Sequence, residues 1–262
     1  MIAGTSEKLR VEQRDHTVVI TIANPPANTW DEENLSALEA LVNALERDDD
    51  IYSLVITGDG DRFFSAGADL NVFASGDRGV AARMAQRFGN AFETLAGFRG
   101  VSIAAINGFA MGGGLECALA CDIRVAEEGA ALALPEASVG LLPCGGGTQN
   151  LAWLVGEGWA KRMILCGEKV SAETAREIGL VEEVTHAGAS LERALELASM
   201  VENQSPKAVS ACKQLIQAAR RGDIAAAYAA EREQFVALFD TEDQSEGVSA
   251  FLEKRKPAWK NR

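Results

Sequence analysis

Three features of the sequence predict an α/β fold. Strand-like apolar runs alternate with helically periodic segments over the first 185 residues, no β-rich run follows residue 187, and 47% apolar residues along 262 positions can fill a sizeable core. Residues 17–23 and 51–57 read as strands on either side of a segment in which Leu35, Leu38, Leu41, Val42 and Leu45 recur at helical spacing, with Asp31 placed to cap its start. The stretch 79–97 stacks Met84, Phe88, Phe92 and Leu95 on one helical face, and Val101–Ile106 reads as a buried strand running into a glycine cluster. Residues 112–121 form the next helix, followed by short strands over 122–126 and 130–134. Further on, Ser205-Pro206 supplies an N-cap and a proline for the first helical position, and helices are expected over 187–202, 206–221, 223–239 and 242–254. No Pro/Gly/Ser-rich linker separates these parts. We therefore read residues 1–186 as an α/β core that carries the site, and 187–262 as a helical extension packed on the core or on a neighbouring copy.

Composition narrows the chemistry. With 25 Lys+Arg against 38 Asp+Glu the net charge is −13, which repels nucleic acid and anionic membrane surfaces over most of the molecule. Apolar stretches fall far short of the roughly 18 residues a membrane-spanning helix needs. The polar start of the chain resembles neither a secretory nor an import presequence, so a cytoplasmic location is expected. Five cysteines, at 117, 121, 144, 166 and 212, include no C-x-x-C pair and read as reduced thiols, mostly small core residues. His16 and His186 lie 170 positions apart, too little imidazole for a zinc site or a Ser-His-Asp triad. Metal-independent chemistry on carboxylates fits this inventory best.

Two glycine-bearing turns are placed to act on a ligand. Phe64-Ser65-Ala66-Gly67-Ala68-Asp69-Leu70 follows a strand, and Met111-Gly112-Gly113-Gly114-Leu115-Glu116 joins a strand to a helix. Each can present bare backbone N–H groups, and two such turns converging would hold a developing oxyanion. Glu116 sits in the first turn of the helix, and Glu136 follows Pro135 directly after an apolar strand. Two carboxylates beside an apolar cleft divide into general acid and general base when their surroundings separate their pKa values. Read singly, the turns are ordinary tight turns and the glutamates ordinary surface or helix-start acids. Met84, Phe88, Trp153 and Trp159 are candidates for an acyl pocket, though the same spacing suits plain core.

Taken together these residues resemble the crotonase superfamily, the enoyl-CoA hydratase/isomerase family, over nearly the whole chain. Phe64 to Leu70 is similar to its A-G-A-D turn, Asn107-Gly108 through Glu116 to its N-G-x-x-x-G-G-G-x-E segment, Pro135-Glu136 through Thr148-Gln149 to its P-E…G-L…P…G-G-T-Q segment, and Phe251-Leu252-Glu253-Lys254-Arg255-Lys256-Pro257 to its C-terminal signature. The resemblance implies a spiral of strand–strand–helix repeats with a C-terminal helical trimerisation region, assembled as a homotrimer or a dimer of trimers. It implies an acyl-CoA thioester substrate, no cofactor beyond the coenzyme A that the substrate carries, and no nucleic-acid or membrane partner.

By the same resemblance the backbone N–H groups of Ala68 and Gly113 hold the thioester oxygen, while Glu116 and Glu136 carry out hydration. Pro26 and Ala27, in the run Asn24-Pro25-Pro26-Ala27-Asn28, would lie along the CoA, and Ala66, Asp69 and Leu70 around its adenine. Phe251 and Lys254 would reach the CoA of the same or an adjacent subunit. Residues 251–262 carry five basic side chains against one acid, a charge suited to CoA phosphates or simply to a solvated tail. One departure stands out: Cys144 occupies a position where, by the resemblance, hydratases of this family commonly have a glycine whose N–H helps place the attacking water. Its thiol, beside two glutamates, is expected to have a raised pKa and to stay out of covalent chemistry. The implied activity is addition of water to a trans-2-enoyl-CoA. Double-bond isomerisation, thioester hydrolysis on the same fold, and acyl-CoA binding without turnover are the alternatives.

Overall fold

The computed structural model describes residues 6–74, 76–221 and 224–262. Its order is β1 (Leu9–Arg14), β2 (Thr17–Ile22), α1 (Glu32–Leu45), β3 (Ser53–Gly58), β4 (Phe63–Ser65), α2 (Arg78–Gly97), β5 (Val101–Ile106), β6 (Phe109–Met111), α3 (Gly113–Ala120), β7 (Ile123–Glu127), β8 (Ala131–Ala133), α4 (Gly147–Leu165), β9 (Val170–Ser171), α5 (Ala172–Glu177) and β10 (Glu183–Thr185), then α6 (Ser190–Val201), α7 (Pro206–Ala218), α8 (Ile224–Ala237) and α9 (Glu242–Glu253). A six-stranded sheet runs β1-β2-β3-β5-β7-β10, and a four-stranded sheet runs β4-β6-β8-β9. Apart from the antiparallel β1–β2 hairpin and the β8–β9 pair, the ladders are parallel.

The strand pairs β3/β4, β5/β6 and β7/β8 each give their first member to the large sheet and their second to the small one, and a helix follows each pair. This is the expected strand–strand–helix spiral. Asn107, at the corner between β5 and β6, ties successive turns of it together: its Oδ1 accepts from the Gly58 N–H at 3.0 Å, and its Nδ2 donates to the Gly58 and Gly60 carbonyls at 3.0 and 2.8 Å.

The large sheet is apolar on both faces, as a covered parallel sheet must be. Val18, Ile20, Leu54, Ile56, Ala104 and Ile106 face the main core. Their neighbours Val19, Val55, Ile103, Ala105 and Val125 pack against Ala194 and Ala198 of α6. The start of the helical extension thus closes the core of this same chain. Asp31 caps α1, accepting from the Glu33 and Asn34 N–H groups, and Ser205 caps α7.

Lys213 of α7 clamps the end of α2 to β5 and β7. Its ammonium donates to the Phe98 and Gly100 carbonyls at 2.6 and 3.0 Å and pairs with Asp122 at 2.7 Å, and the same Asp122 oxygen accepts from the Ser102 N–H and hydroxyl. Lys213→Met would strand a half-buried carboxylate. It is expected to cost about 1–3 kcal/mol of stability, read from the midpoint of urea unfolding.

Several expectations need correction. Residues 9–14, which read only as polar in the sequence, are an edge strand: only Leu9 is buried, so the strand carries little apolar signal. Cysteines are less of a core feature than expected, since Cys117 and Cys121 are buried whereas Cys144, Cys166 and Cys212 are exposed; all five are free. The basic C-terminus is partly neutralised at home. Arg255 pairs with Glu246 and Glu253, and Arg262 with Glu242. The tail also folds back: buried Asp243 accepts from the Lys260 and Asn261 N–H groups, and Asn261 reaches the Asp49 carbonyl at 2.7 Å.

Candidate active site

The turn after β4 and the start of α3 touch. Gly67, at φ +89°, packs so closely that a Cβ there would lie 2.6 Å from the Met111 carbonyl oxygen and 3.0 Å from the Gly113 nitrogen. Gly114 admits no side chain either, because its Cβ would fall 2.2 Å from the Ser65 carbonyl oxygen. Bridge pairing with Trp30 consumes the groups flanking Ala68: Trp30 donates to Gly67 and Asp69 donates to Trp30. The Ala68 N–H itself therefore points to the other side. Gly113 is the first residue of α3, so its N–H has no partner within the helix. Among the described residues neither N–H makes a hydrogen bond, and both residues line one cavity of about 170 Å³.

Glu116 and Glu136 line the same cavity. Helix α3 is buried along its whole length and carries Glu116 into the interior, where the residue is 2% exposed. Its Oε1 accepts from the Gly145 N–H at 2.7 Å and the Gly147 N–H at 2.9 Å. Burial raises its pKa to about 7, the Gly147 N–H opposes that shift, the charge of Glu136 adds to it, and the Gly145 N–H again opposes it. Glu136 opens a short 3₁₀ turn over Glu136–Val139. Its carboxyl is also raised, by burial, and its Oε2 is buried with no hydrogen-bond partner among the described residues. Two carboxyls poised above their ordinary range, one pinned through one oxygen and one with an uncommitted oxygen, suit proton transfer at neutral pH.

Ala66, Leu70 and Cys144 also line the cavity. Cys144 keeps solvent contact at its edge, yet partial burial, then Glu116 and Glu136, push its thiol up to about 11, as expected from its neighbours. Asp69 stands just outside, and its side chain caps the 3₁₀ turn Leu70–Phe73 by accepting from the Asn71 N–H. Pro26 and Ala27 are outside the cavity on an adjoining loop, tied to it by the Ala66 N–H donating to the Ala27 carbonyl at 2.9 Å. Lys254 lies exposed just after α9 and does not line the cavity, and the Phe251 side chain lies outside the described residues. Of the four acyl-pocket candidates only Phe88 lines the cavity, its ring covering Gly113. Met84 is buried beside α1, Trp153 faces an outer groove next to Arg220, and Trp159 stacks under Arg162. What sequence reasoning missed are the Gly145 and Gly147 donors and the aliphatic residues Val139, Leu141 and Leu142. The G-G-T-Q run was the available signal for the donors.

The sequence profile of the enoyl-CoA hydratase/isomerase family matches residues 12–262. The chain belongs to this family. It is 41% identical over 258 residues to the 2,3-dehydroadipyl-CoA hydratase of Escherichia coli (strain K12), covering 97% of this chain and 99% of that protein. It is 37% identical to the short-chain-enoyl-CoA hydratase of Clostridium acetobutylicum, with 96% and 97% covered. Among solved structures it is similar to Pseudomonas aeruginosa DspI, with a TM-score of 0.95, 63% identity and 97% of each chain covered.

Proposed function

We infer that this chain is an enoyl-CoA hydratase that adds water to a trans-2-enoyl-CoA and gives a 3-hydroxyacyl-CoA. One observation carries the reading: two carboxyls with raised pKa values share a cavity with two unpaired backbone N–H groups. The thioester oxygen accepts from the Ala68 and Gly113 N–H groups. Glu116, held through Oε1, takes a proton from water as its oxygen bonds to C3; the C2–C3 electron pair moves toward the thioester, and the enolate charge is held by the two N–H groups. Glu136 then delivers its proton to C2. Exchange with solvent restores both carboxyls. Both proton transfers fall to side chains of this chain, so no cofactor is proposed beyond the coenzyme A of the substrate.

The loop at Pro26 and Ala27 and the turn at Ala66, Asp69 and Leu70 are proposed to run along the CoA, with Phe251 and Lys254 reaching it from the C-terminal segment. A homotrimer or dimer of trimers is proposed, supported by Phe239, Val248 and Leu252, which stand exposed at the end of the chain. No described helix is long and apolar enough to cross a membrane. A cytoplasmic site of action is proposed, and five free thiols support it.

Assaying 2-enoyl, 3-enoyl and saturated acyl-CoA thioesters side by side tests the reading. Turnover of the 2-enoyl ester alone is expected; turnover of the 3-enoyl ester or release of free CoA in its place would overturn it. The thiol at the cavity edge is no part of this chemistry. Cys144→Ala should keep hydration of a short enoyl-CoA within about tenfold of wild type, the loss expected from slight misplacement of a water. A loss as deep as removal of a glutamate would bring the thiol back into the mechanism.

A further inference from the structure

The cavity beside Glu116 and Glu136 opens through a lip of large aliphatic side chains. Val139 and Leu142 expose 53% and 67% of their surface, and Leu141 stands beside them. Such a patch around an opening on an otherwise acidic protein is costly to leave in water and gains from being covered by apolar atoms. Phe73 and Phe88 extend the apolar wall inward.

The polar groups of the cavity point the same way. Among the described residues its lining contains no lysine, arginine or histidine. Among the described lining residues Ser138 supplies the one side-chain hydroxyl, and that hydroxyl donates to the Pro135 carbonyl at 2.7 Å inside its own turn. Among the described lining residues the acidic side chains are the two glutamates, of which Glu116 carries the negative charge while Glu136 holds the proton it delivers. A carboxylate at the far end of an acyl chain would therefore lose water, meet like charge and find no cation.

We propose that this lip selects apolar acyl chains and rejects enoyl-CoA esters whose chain ends in a carboxylate. The specificity rests on the hydratase reading and narrows its substrate class: the lip side chains cover the chain beyond C3, while the N–H pair and the glutamates handle the thioester end that all such esters share.

Two six-carbon substrates that differ only at the chain end test it. trans-2-Hexenoyl-CoA is expected to exceed 2,3-dehydroadipyl-CoA in kcat/KM by about 10- to 100-fold, the range for burying an uncompensated polar group. Leu142→Arg, at the most exposed lip position, should narrow that ratio by raising turnover of the carboxylate ester and lowering that of hexenoyl-CoA. Calorimetric binding of the unreactive hexanoyl-CoA and adipyl-CoA reads the lip without chemistry, and the same preference is expected there. Equal binding of the two saturated esters, or a ratio that Leu142→Arg leaves unmoved, would overturn the proposal. Failure of the hydratase reading looks different: neither enoyl ester would be hydrated while the binding preference stayed intact.

Discussion

Glu116→Gln and Glu136→Gln are each expected to lower hydration of a short enoyl-CoA by about 100- to 10,000-fold, the usual cost of removing a general base or acid. A glutamine at 116 can still accept from the Gly145 and Gly147 N–H groups, so the cavity keeps its shape and only the proton acceptor is lost. The acid limb of the wild-type pH profile follows from Glu116. Activity should climb as Glu116 loses its proton through about pH 7.

Stability gives a second readout with a defined sign. The folded-state pKa of Glu116 lies above its ordinary 4.5, so the folded protein holds this proton more tightly than the unfolded chain does. The resulting stabilisation is fully present below 4.5 and lost as pH rises through about 7. At about pH 8 the ionised, buried carboxyl works against folding, and Glu116→Gln should unfold at a higher temperature than wild type, with the gap closing toward acid pH. A dead variant that is also less stable at alkaline pH would indicate a structural role for Glu116 rather than a chemical one.

The second large effect is expected at Gly67. Alanine there would be strained at φ +89° and would drive its Cβ between the Met111 carbonyl and the Gly113 nitrogen, prising apart the two turns that hold the unpaired N–H groups. Loss of one such donor costs about 100- to 1,000-fold in rate, and Gly67→Ala should fall in that range. Gly60 offers the control. It has a similar φ of +80° with nothing within 4 Å of its Cβ position, so Gly60→Ala carries the strain without the wedge. Gly60→Ala should lose about 1–2 kcal/mol of stability and keep its turnover. Equal activity losses in both variants, measured by steady-state hydration, would show that the contact between the turns is not what places the donors.

Legibility in the sequence tracked how much of each signal is local. Val101–Ile106 was readable residue for residue because a strand covered on both faces is a continuous apolar run, and Asp31 and Ser205 were readable because a cap acts within its own helix. Strands β4, β6, β9 and β10, two or three residues each, are too short for periodicity to register. Helix α4 was missed because Gly156, at φ +76°, breaks its pattern near the middle.

In the site, the glycine turns and both glutamates stood out as motifs. The pinning of Glu116 by Gly145 and Gly147 did not, since a backbone N–H has no residue type to announce where it points. Phe88 meets both readings offered for it, buried in the core and covering Gly113 at the cavity, whereas Trp153 sits on the outer side of α4, a matter of helix rotation that only tertiary packing decides. Of the lip residues, Val139 ends a four-residue 3₁₀ turn and Leu141 and Leu142 follow without repeating structure, so no apolar periodicity marks them out.

The most direct measurement of the central claim is the mass of the product formed from crotonyl-CoA in water enriched in heavy oxygen. Hydration by Glu116 and Glu136 predicts an intact CoA thioester carrying one heavy oxygen, located at the C3 hydroxyl, and none in the acyl carbonyl. Heavy oxygen in a free carboxylate, released together with CoA, would make the site a thioester hydrolase and contradict the roles given to both glutamates.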